Sequence, residues 1–565
     1  MAPKLEQQAR RTEHATICAV HTHAARFAAR FFRTSPLRHA QFRLFYFGSI
    51  GAAVGYTMQA TIAAWLMATL TPSALMVALV QTASTLPTLL FGLIAGALAD
   101  IVERRRIILS TLFVLILATV VLGAAEILGI VGPVTLLAAT FVIGAGFSIY
   151  LPAQQASVND LVERADLPRA LGLGSAAFNL ARAIGPALAG AIAAWIGSGS
   201  AFLASSIAFV LMMAAVRGWK KSKPGIPGVP ERLLPGIQSG LRFARHSPLM
   251  RALIGRNLTF SICASALWAL LPLIAREQLA LGAGGFGLLS ASFGIGGVIG
   301  AFTIPNQLQR VPLNTVVNFG FLLWAAATLM IASTHVTAIA LVATCATGIA
   351  WVSVLPSLAA GTQSAAPAWV RARAVALSLV CMQASLAAGS ALWGWLASLY
   401  GIGMALAASA FAMLALLALS YRVRVRMGDE AEVTPGMQLP ELAIALQPLP
   451  DDGPVLIQVQ YEIDPGNQEA FLQAIQDCEP TRRRNGASDW RVFRDLGNEH
   501  HFVERFIITS WAEYVRLRSR MSVADRQVHE RMEQFQKPGV PIRITRLIST
   551  SLRDAAPAAP PMDKR

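Results

Sequence analysis

The segment LPAQQASVNDLVERADLPRALGLGSAAFNLARAIGPALAG spans residues 151–190, and its pattern of glycine, proline and charge recurs 204 residues further along. At this single ungapped offset, Leu151 and Pro152 align with Leu355 and Pro356. Chance matches many alanines and leucines in an apolar chain, but seldom so many of these other residues. The remaining aligned pairs are Gly92 with Gly296, Gly96 with Gly300, Gly144 with Gly348, Arg169 with Arg373, Asn179 with Gln383, Gly185 with Gly389, Gly190 with Gly394 and Gly197 with Gly401. The chain therefore contains two related halves.

The composition separates a long membrane portion from a soluble end. Of the 565 residues, 55% are hydrophobic and 14% are charged, and the mean hydropathy is +0.53. Ten of the 31 acidic residues lie in the first 421 positions, whereas 21 lie in the remaining 144. Twelve apolar runs are long enough to cross about 30 Å of hydrocarbon, so lipid is their expected surrounding. These runs lie near 44–69, 75–99, 107–129, 133–155, 170–196, 200–216, 251–275, 285–305, 313–333, 336–358, 373–397 and 402–421.

The basic residues predict the orientation of the chain. They lie in alternate short loops, such as 104–106 and 422–426, on the side that carries the N-terminus. Because basic loops stay in the cytoplasm, both termini are expected to be cytoplasmic. This placement also accounts for the net charge of +16 without a nucleic-acid partner.

Seven segments follow from these patterns. A basic cytoplasmic tail precedes two six-helix halves, and a basic linker rich in proline and glycine joins the halves. The predicted boundaries are 1–43 for the basic tail, 44–216 for the N-terminal half, 217–250 for the linker, 251–421 for the C-terminal half, 422–453 for a second linker, 454–550 for a soluble domain and 551–565 for a disordered tail.

The loop between the second and third spans carries GALADIVERRR at residues 96–106. It resembles the G-x-L-x-D-R-x-G-R-R-x motif of major facilitator proteins. The positions in register are Gly96, Leu98, Asp100, Arg104 and Arg105, whereas Ile101 and Glu103 replace the usual arginine and glycine. The resemblance implies a cytoplasmic gate whose ion pairs form in one conformation and break in the other. The alternative is an ordinary loop with basic residues that fix the topology.

Residues 151–190 and 363–401 resemble the enterobactin-exporter group, whose longer members are called transmembrane secretion effectors. The similarity covers most of residues 40–550. It implies a major facilitator fold of twelve transmembrane helices in two six-helix repeats, in a bacterial inner membrane. It also implies a secondary active transporter that exports a siderophore-like or drug-like small molecule by alternating access, driven by the proton gradient. The alternatives are a membrane-anchored enzyme and a secretion or assembly factor that does not transport.

Polar residues inside the spans are the candidates for substrate binding and coupling. Arg182 lies 13 residues after Arg169 and 15 before Gly197, which places it near the middle of the membrane. It is expected to attract an anionic substrate, or else to bond helix carbonyls or Asn179. The other cavity candidates are Asn179, Gln383, Gln59 and Arg256. Arg256 is only one to two turns into the seventh span, so the alternative is that its side chain extends to the membrane surface. Glu126 is the proton-coupling candidate, with a solvated interfacial acid as the alternative.

Small residues at intervals of four predict close helix packing in the fifth and eighth spans. The packing candidates are Gly185, Pro186, Gly190, Gly296 and Gly300. GPALAG at 185–190 also resembles an antiporter motif of drug exporters, so a functional hinge is the other interpretation. Four tryptophans could stack on an aromatic ligand or serve packing: Trp65, Trp268, Trp393 and Trp395.

The soluble domain has a βαββαβ pattern that predicts an α+β ferredoxin-like sandwich. Residues 467–486 and 511–535 each predict one helix. The domain resembles the small domains of antibiotic-biosynthesis monooxygenases, which pair into dimers. That resemblance implies either a regulatory module that forms a homodimer or a cofactor-free oxygenation pocket. The pocket candidates are His500, His501, His529, Trp490 and Trp511.

Catalytic residues, cofactors and metal sites are not predicted. The five cysteines are scattered and lack the spacing of metal ligands. No Walker A sequence is present, which argues against transport driven by ATP.

Overall fold

A computed structural model describes residues 36–163, 166–218, 233–434 and 448–549. Within these residues, 12 helices are long and apolar enough to cross a membrane. The predicted tail 551–565 and most of the predicted basic tail 1–43 lie outside the described residues.

The helices form two sets of six that repeat along the chain. The first set is α1 (Ala40–Leu70), α2 (Ala74–Ile101), α3 (Arg104–Ile127), α4 (Pro133–Leu161), α5 (Leu167–Trp195) and α6 (Ser198–Arg217). After the linker helix α7 (Leu233–His246), the second set is α8 (Pro248–Leu273), α9 (Ala283–Leu308), α10 (Leu313–Ser333), α11 (Thr337–Ala365), α12 (Arg371–Tyr400) and α13 (Ile402–Leu419). The helices α4, α5 and α6 begin 204 residues before α11, α12 and α13. The predicted fold class of twelve spans in two repeats is confirmed.

Local sequence explains several helix starts. The hydroxyls of Ser73 and Ser247 accept hydrogen bonds from the backbone N–H of Met76 and Met250, at the starts of α2 and α8. These bonds satisfy N–H groups that have no partner inside the helix. Pro133 opens α4, where its missing N–H costs nothing.

The backbones of the two halves approach closely at several places, two of which lie near one side of the membrane. We call the side with α7 and the soluble domain the tail side, and the opposite side the far side. Near the far side, Gly190 of α5 faces Gly287 of α9, and Gly394 of α12 faces Ala78 of α2. Gly190 and Gly394 are partners in the repeat. A Cβ at Gly190 would lie 2.7 Å from the Ala283 carbonyl oxygen, so no larger residue fits without movement.

The other predicted packing glycines lie inside one half. Gly185 faces Thr57 of α1, and its repeat partner Gly389 faces Ser265 of α8. Gly296 and Gly300 let α9 approach α11. Each helix pair thus packs through small residues, as expected where lipid removes the hydrophobic drive for association.

The soluble domain is an antiparallel sheet covered by helices on one face. Its strands have the order β2-β3-β1-β4, which is the order of the predicted ferredoxin-like sandwich. The elements are β1 (Val455–Glu462), α14 (Gln468–Gln476), α15 (Cys478–Asn485), β2 (Ser488–Arg494), β3 (His501–Ile508), α16 (Trp511–Arg520), α17 (Val523–Glu533) and β4 (Arg543–Ile548).

The prediction of one helix in each connection was wrong, because both connections contain two helices. Between α16 and α17, the Ser522 hydroxyl accepts a hydrogen bond from the Asp525 N–H at 3.2 Å, and the Asp525 carboxylate accepts one from the Ser522 N–H at 3.1 Å. This capping box starts a new helix. In the first connection, Pro480 has no N–H to bond the Gln476 carbonyl, which favours a break after α14.

The soluble domain docks on the linker helix and the C-terminal half. Glu513 accepts hydrogen bonds from Arg242 of α7 at 2.9 Å and from Arg520 at 2.7 Å. Burial acts to raise the pKa of Glu513, but Arg520 and Arg242 outweigh it and hold that pKa below its usual value. Arg520 also lies 4.2 Å from the ring centre of Trp369, in the loop before α12. A charged and aromatic contact therefore joins the domain to the membrane portion.

The glycine contact between the halves gives a first testable prediction. Gly190→Val should destabilise the protein by about 1–3 kcal/mol, because the added methyls must push two backbones apart. The matched control is Gly174→Val on the same helix, because a Cβ at Gly174 meets nothing within 4 Å. Thermal unfolding of the purified protein in detergent measures the difference. Equal melting temperatures for the two variants would contradict the packing account.

Candidate functional site

The candidate site lies at the boundary between the two halves, near the middle of the membrane. Arg182 of α5 reaches from the N-terminal half toward three aromatic rings of the C-terminal half. Its Cζ atom lies 5.6 Å from the ring centre of Trp268, 5.4 Å from that of Phe293 and 5.2 Å from that of Trp351. We call these three rings the aromatic cage. Cations are attracted to aromatic faces at these distances.

The rings of the cage support one another. Trp268 and Phe293 meet edge to face at 4.5 Å, and both lie about perpendicular to Trp351 at 5.9 and 6.0 Å. Edge-to-face pairs at these distances are favourable. Three different helices, α8, α9 and α11, supply the rings. Folding of the C-terminal half therefore builds the cage, and α5 brings the cation to it.

The position of Arg182 along α5 follows from the packing of its neighbours. Ala181 offers its carbonyl oxygen to the Thr57 hydroxyl at 3.0 Å, which ties α5 to α1. The residue after Arg182, Ala183, packs directly against Gly294 of α9. Arg182 is thus held between a contact within its own half and a contact with the other half.

Arg182 is half-buried, and its guanidinium has N–H groups without a hydrogen-bond acceptor among the described residues. Among the residues that the structure describes, Arg182 makes no hydrogen bond or ion pair. Its five donors normally find acceptors when they leave water. The cage therefore stabilises the charge through ring faces and leaves donors available in the plane of the guanidinium.

The other predicted cavity residues have different surroundings. Gln59 is buried on α1, and its amide nitrogen has no partner among the described atoms. Gln383 and Asn179 are half-buried on the repeat-related helices α12 and α5. None of the contacts between described residues joins Gln59 or Gln383 to Arg182.

Arg256 and Glu126 lie away from the aromatic cage. Arg256 is buried inside the C-terminal half, 5.7 Å from the ring centre of Phe321, and donates to the Ser420 carbonyl at 3.2 Å. Glu126 is half-buried near the far side, where its carboxylate contacts Gly199 at the start of α6. A carboxylate at that position faces the positive end of a helix dipole.

The arginines of the loop at 96–106 bond within the N-terminal half. Arg104 donates to the carboxylate of Asp160 at 2.9 Å, which joins α3 to the tail-side end of α4. Arg105 donates to the carbonyl of Arg217 at 2.9 Å, at the end of α6. The backbone of Gly96 and Asp100 belongs to α2, and the side chain of Asp100 lies outside what the structure describes.

The tryptophans divide into a cage residue and packing residues. Trp268 belongs to the cage. Trp393 donates to the Ile262 carbonyl at 2.7 Å, Trp65 stacks on Phe286 across the halves at 5.8 Å, and Trp395 is 50% exposed on the bundle surface.

Sequence reasoning missed Phe293 and Trp351. One signal was available, because Trp351 aligns with Phe147 in the repeat and Phe147 stacks on Tyr56 in the first half. Equivalent aromatic positions in two halves indicate a shared internal surface.

A buried polar cluster, also missed, lies inside the soluble domain. Glu504 is 0% exposed and accepts hydrogen bonds from Arg482 at 2.9 and 3.1 Å, from Trp490 at 2.9 Å and from Tyr461 at 3.0 Å. Burial acts to raise the pKa of Glu504, but the Arg482 charge holds it below its usual value. Four bonds therefore satisfy a charged carboxylate in the domain core.

The predicted pocket residues of this domain are only partly brought together. His529 is buried near the cluster, where desolvation lowers its pKa to about 4, so its ring is neutral at pH 7. The neutral ring donates from Nδ1 to the Asp525 carbonyl at 2.7 Å. Trp490 bonds Glu504, whereas His500 and His501 lie at the start of β3 and Trp511 at the start of α16.

The described ranges contain no group of three or more His, Cys, Asp or Glu residues that could hold a metal ion.

Solved structures share the fold of the membrane portion. A bacterial homologue of the human lysosomal transporter Spinster, inward-facing and unoccupied, matches with a TM-score of 0.54 and 14% identity over 68% of this chain and 95% of that chain. A POT family transporter in complex with a thioalcohol-conjugated peptide matches with a TM-score of 0.56 and 12% identity over 68% and 96% of the two chains. At these identities the likeness concerns the fold alone.

Curated relatives match part of the chain. The multidrug efflux pump Tap of Mycolicibacterium fortuitum is 30% identical over 218 residues, which are 37% of this chain and 53% of that protein. The staphyloferrin A transporter of Staphylococcus aureus is 23% identical over 248 residues, which are 44% of this chain and 62% of that protein. The chain thus spans about half the length of the curated relatives it matches.

The family comparison covers nearly the whole sequence. The model of the transmembrane secretion effector family matches residues 32–554, which include both six-helix halves and the soluble domain. With the repeat and the major facilitator fold already described, this match shows that the chain belongs to the transmembrane secretion effector family.

Proposed function

We propose that this chain is a secondary active transporter that exports a siderophore-like or drug-like small molecule across the bacterial inner membrane by alternating access. The observation that carries the proposal is the seam between the halves. Glycine contacts join the halves near the far side, and nearer the middle of the membrane a cation without an ion pair among the described residues lies between the halves. The names of the relatives, an efflux pump and a siderophore transporter, support the same class.

The contacts between the halves suit a movement that opens and closes. Gly190 with Gly287, and Gly394 with Ala78, are small apolar contacts between separate rigid bundles. These two contacts hold no polar side chain. Two hydrogen bonds also join the halves, from Thr82 to the Ala387 carbonyl at 3.0 Å and from Arg276 to the Ala68 carbonyl, and both must break when the halves part. In this conformation Arg104 and Arg105 bond within the N-terminal half. We infer that these arginines, with Asp100, exchange partners when the tail side closes.

The energy source for transport is a second part of the proposal. The proton gradient is the proposed source of energy, and Glu126 stays the candidate coupling residue. Its half-buried carboxylate lies beside Gly199 near the far side, which is the side from which protons would enter. A coupling role requires that its protonation change the packing of α3 against α6.

The soluble domain is proposed to be a docking module. Its buried carboxylate is bonded by Arg482, Trp490 and Tyr461, so the polar cluster serves the domain core. The open face of the sheet carries apolar residues such as Leu547 and Phe493, and a homodimer through this face stays a prediction. Oxygenation by the domain is the alternative, supported by the approach of Trp490 and His529 to Glu504.

The proposed orientation can be tested directly. A cytoplasmic reporter fused after Arg426 should be active, and a periplasmic reporter at the same position should be silent. Basic loops on the tail side and an even number of spans both require this result. A matched fusion in the loop at 129–132, on the far side, should show the reverse. An active periplasmic reporter after Arg426 would contradict the proposed orientation with twelve spans.

Export itself is the central prediction. Inside-out membrane vesicles that contain the protein should accumulate an amphiphilic substrate when a proton gradient is imposed, and a protonophore should abolish the uptake. The variant Glu504→Gln, which changes the soluble domain, should still transport if that domain only docks. Oxygen consumption by the full chain without any vesicle uptake would favour the membrane-anchored enzyme instead.

The gate proposal predicts different effects for neighbouring arginines. Arg104→Gln removes a bond to Asp160 that joins two helices, and we expect export to fall about fivefold, which corresponds to about 1 kcal/mol. Asp100→Asn should act in the same direction. The control is Arg106→Gln, because Arg106 is exposed and pairs with Glu103 on its own helix turn. Vesicle uptake normalised to inserted protein is the measurement, and equal rates for Arg104→Gln and Arg106→Gln would refute the gate.

A further inference from the structure

We propose that Arg182 and the aromatic cage form a receptor for one anionic group of an aromatic substrate. This inference rests on the proposed function, since it names the class of substrate that would bind between the two halves. Arg182 supplies the charge and the hydrogen-bond donors, and Trp268, Phe293 and Trp351 hold the guanidinium and offer ring surface.

The geometry favours an anion because the cage orients the cation without neutralising it. Three ring faces at 5.2 to 5.6 Å fix the guanidinium, so little motion is lost when a ligand binds. The donors lie at the edge of the guanidinium plane, where two of them can meet both oxygens of a carboxylate. No described carboxylate pairs with Arg182, so an incoming anion would find the charge unpaired.

A cationic substrate would meet the opposite situation. It would compete with Arg182 for the ring faces and would also be repelled by it. Two positive charges at about 6 Å in a medium of effective dielectric about 20 correspond to about a hundredfold loss of affinity. The aromatic cage alone would favour a cation, but the presence of Arg182 reverses that preference.

The receptor also joins the halves. Arg182 belongs to the N-terminal half, while all three rings belong to the C-terminal half. An anion held by Arg182, with its aromatic body against the rings, contacts both halves at once. Ligand binding would therefore favour the conformations in which the halves are close at this level.

Removing the cation should invert the charge preference of the site. Arg182→Gln empties the cage of its own cation, so the cage should then accept a foreign one. We expect wild type to bind 2-naphthoate at least tenfold more tightly than 2-naphthylmethylammonium, which has the same ring and the opposite charge. In Arg182→Gln, naphthoate should bind about tenfold more weakly and the ammonium about tenfold more tightly.

The measurement is equilibrium dialysis of the full chain in lipid nanodiscs, corrected with empty nanodiscs. Neutral 2-naphthylmethanol reports any general change in the apolar surface. Arg182→Lys should keep the preference for naphthoate, and Arg310→Gln, which removes an exposed charge elsewhere, should match wild type. Trp351→Ala should weaken the binding of naphthoate, because the guanidinium loses one of the three rings that it contacts.

Two results would overturn the receptor. One is wild-type protein that binds the ammonium more tightly than naphthoate, and the other is unchanged naphthoate binding in Arg182→Gln. Because the assay is an equilibrium measurement, it does not depend on transport. If the charge preference inverts but vesicles show no uptake, the receptor is supported and the transport proposal is rejected. If vesicles show uptake but the protein has no charge preference, transport is supported and the receptor is rejected.

Discussion

Close backbone contact between helices is the constraint on which this structure depends. Inside hydrocarbon, apolar side chains gain little by leaving lipid, so helices associate where small residues let their backbones touch. Gly190 against Gly287 and Gly394 against Ala78 are such contacts, and they alternate with glycines that pack helices within one half. The spacing of glycines therefore sets both how each bundle packs and where the two bundles meet.

In both halves, neighbouring glycines of one helix pack against different helices. On α5, Gly185 faces α1 of its own half, while Gly190 faces α9 of the other half. On α12, Gly389 and Gly394 divide in the same way between α8 and α2. One helix in each half thus carries a fixed contact and a separable contact about one and a half turns apart, which suits a bundle that moves as a unit.

Arg182 is a charged residue at the boundary between the halves, near the middle of the membrane. Three rings from the other half hold it, so the cost of a cation in the membrane is met partly by ring faces. The soluble domain deals with charge differently. There Glu504 is enclosed by direct hydrogen bonds, and Glu513 links the domain to α7 through Arg242.

The sequence by itself determined the twelve spans, the two halves and the ferredoxin-like domain, because hydrophobic length and period are local properties of a chain. It also placed Arg182 at mid-membrane by counting residues from the loops. The tertiary structure decided what Arg182 touches, since Trp268, Phe293 and Trp351 come from three helices whose distances in sequence say nothing of their meeting. It likewise decided that Arg256 packs inside one half, and that Ser522 and Pro480 divide helices that looked continuous, because hydrogen-bond partners and neighbours exist only once the chain has folded.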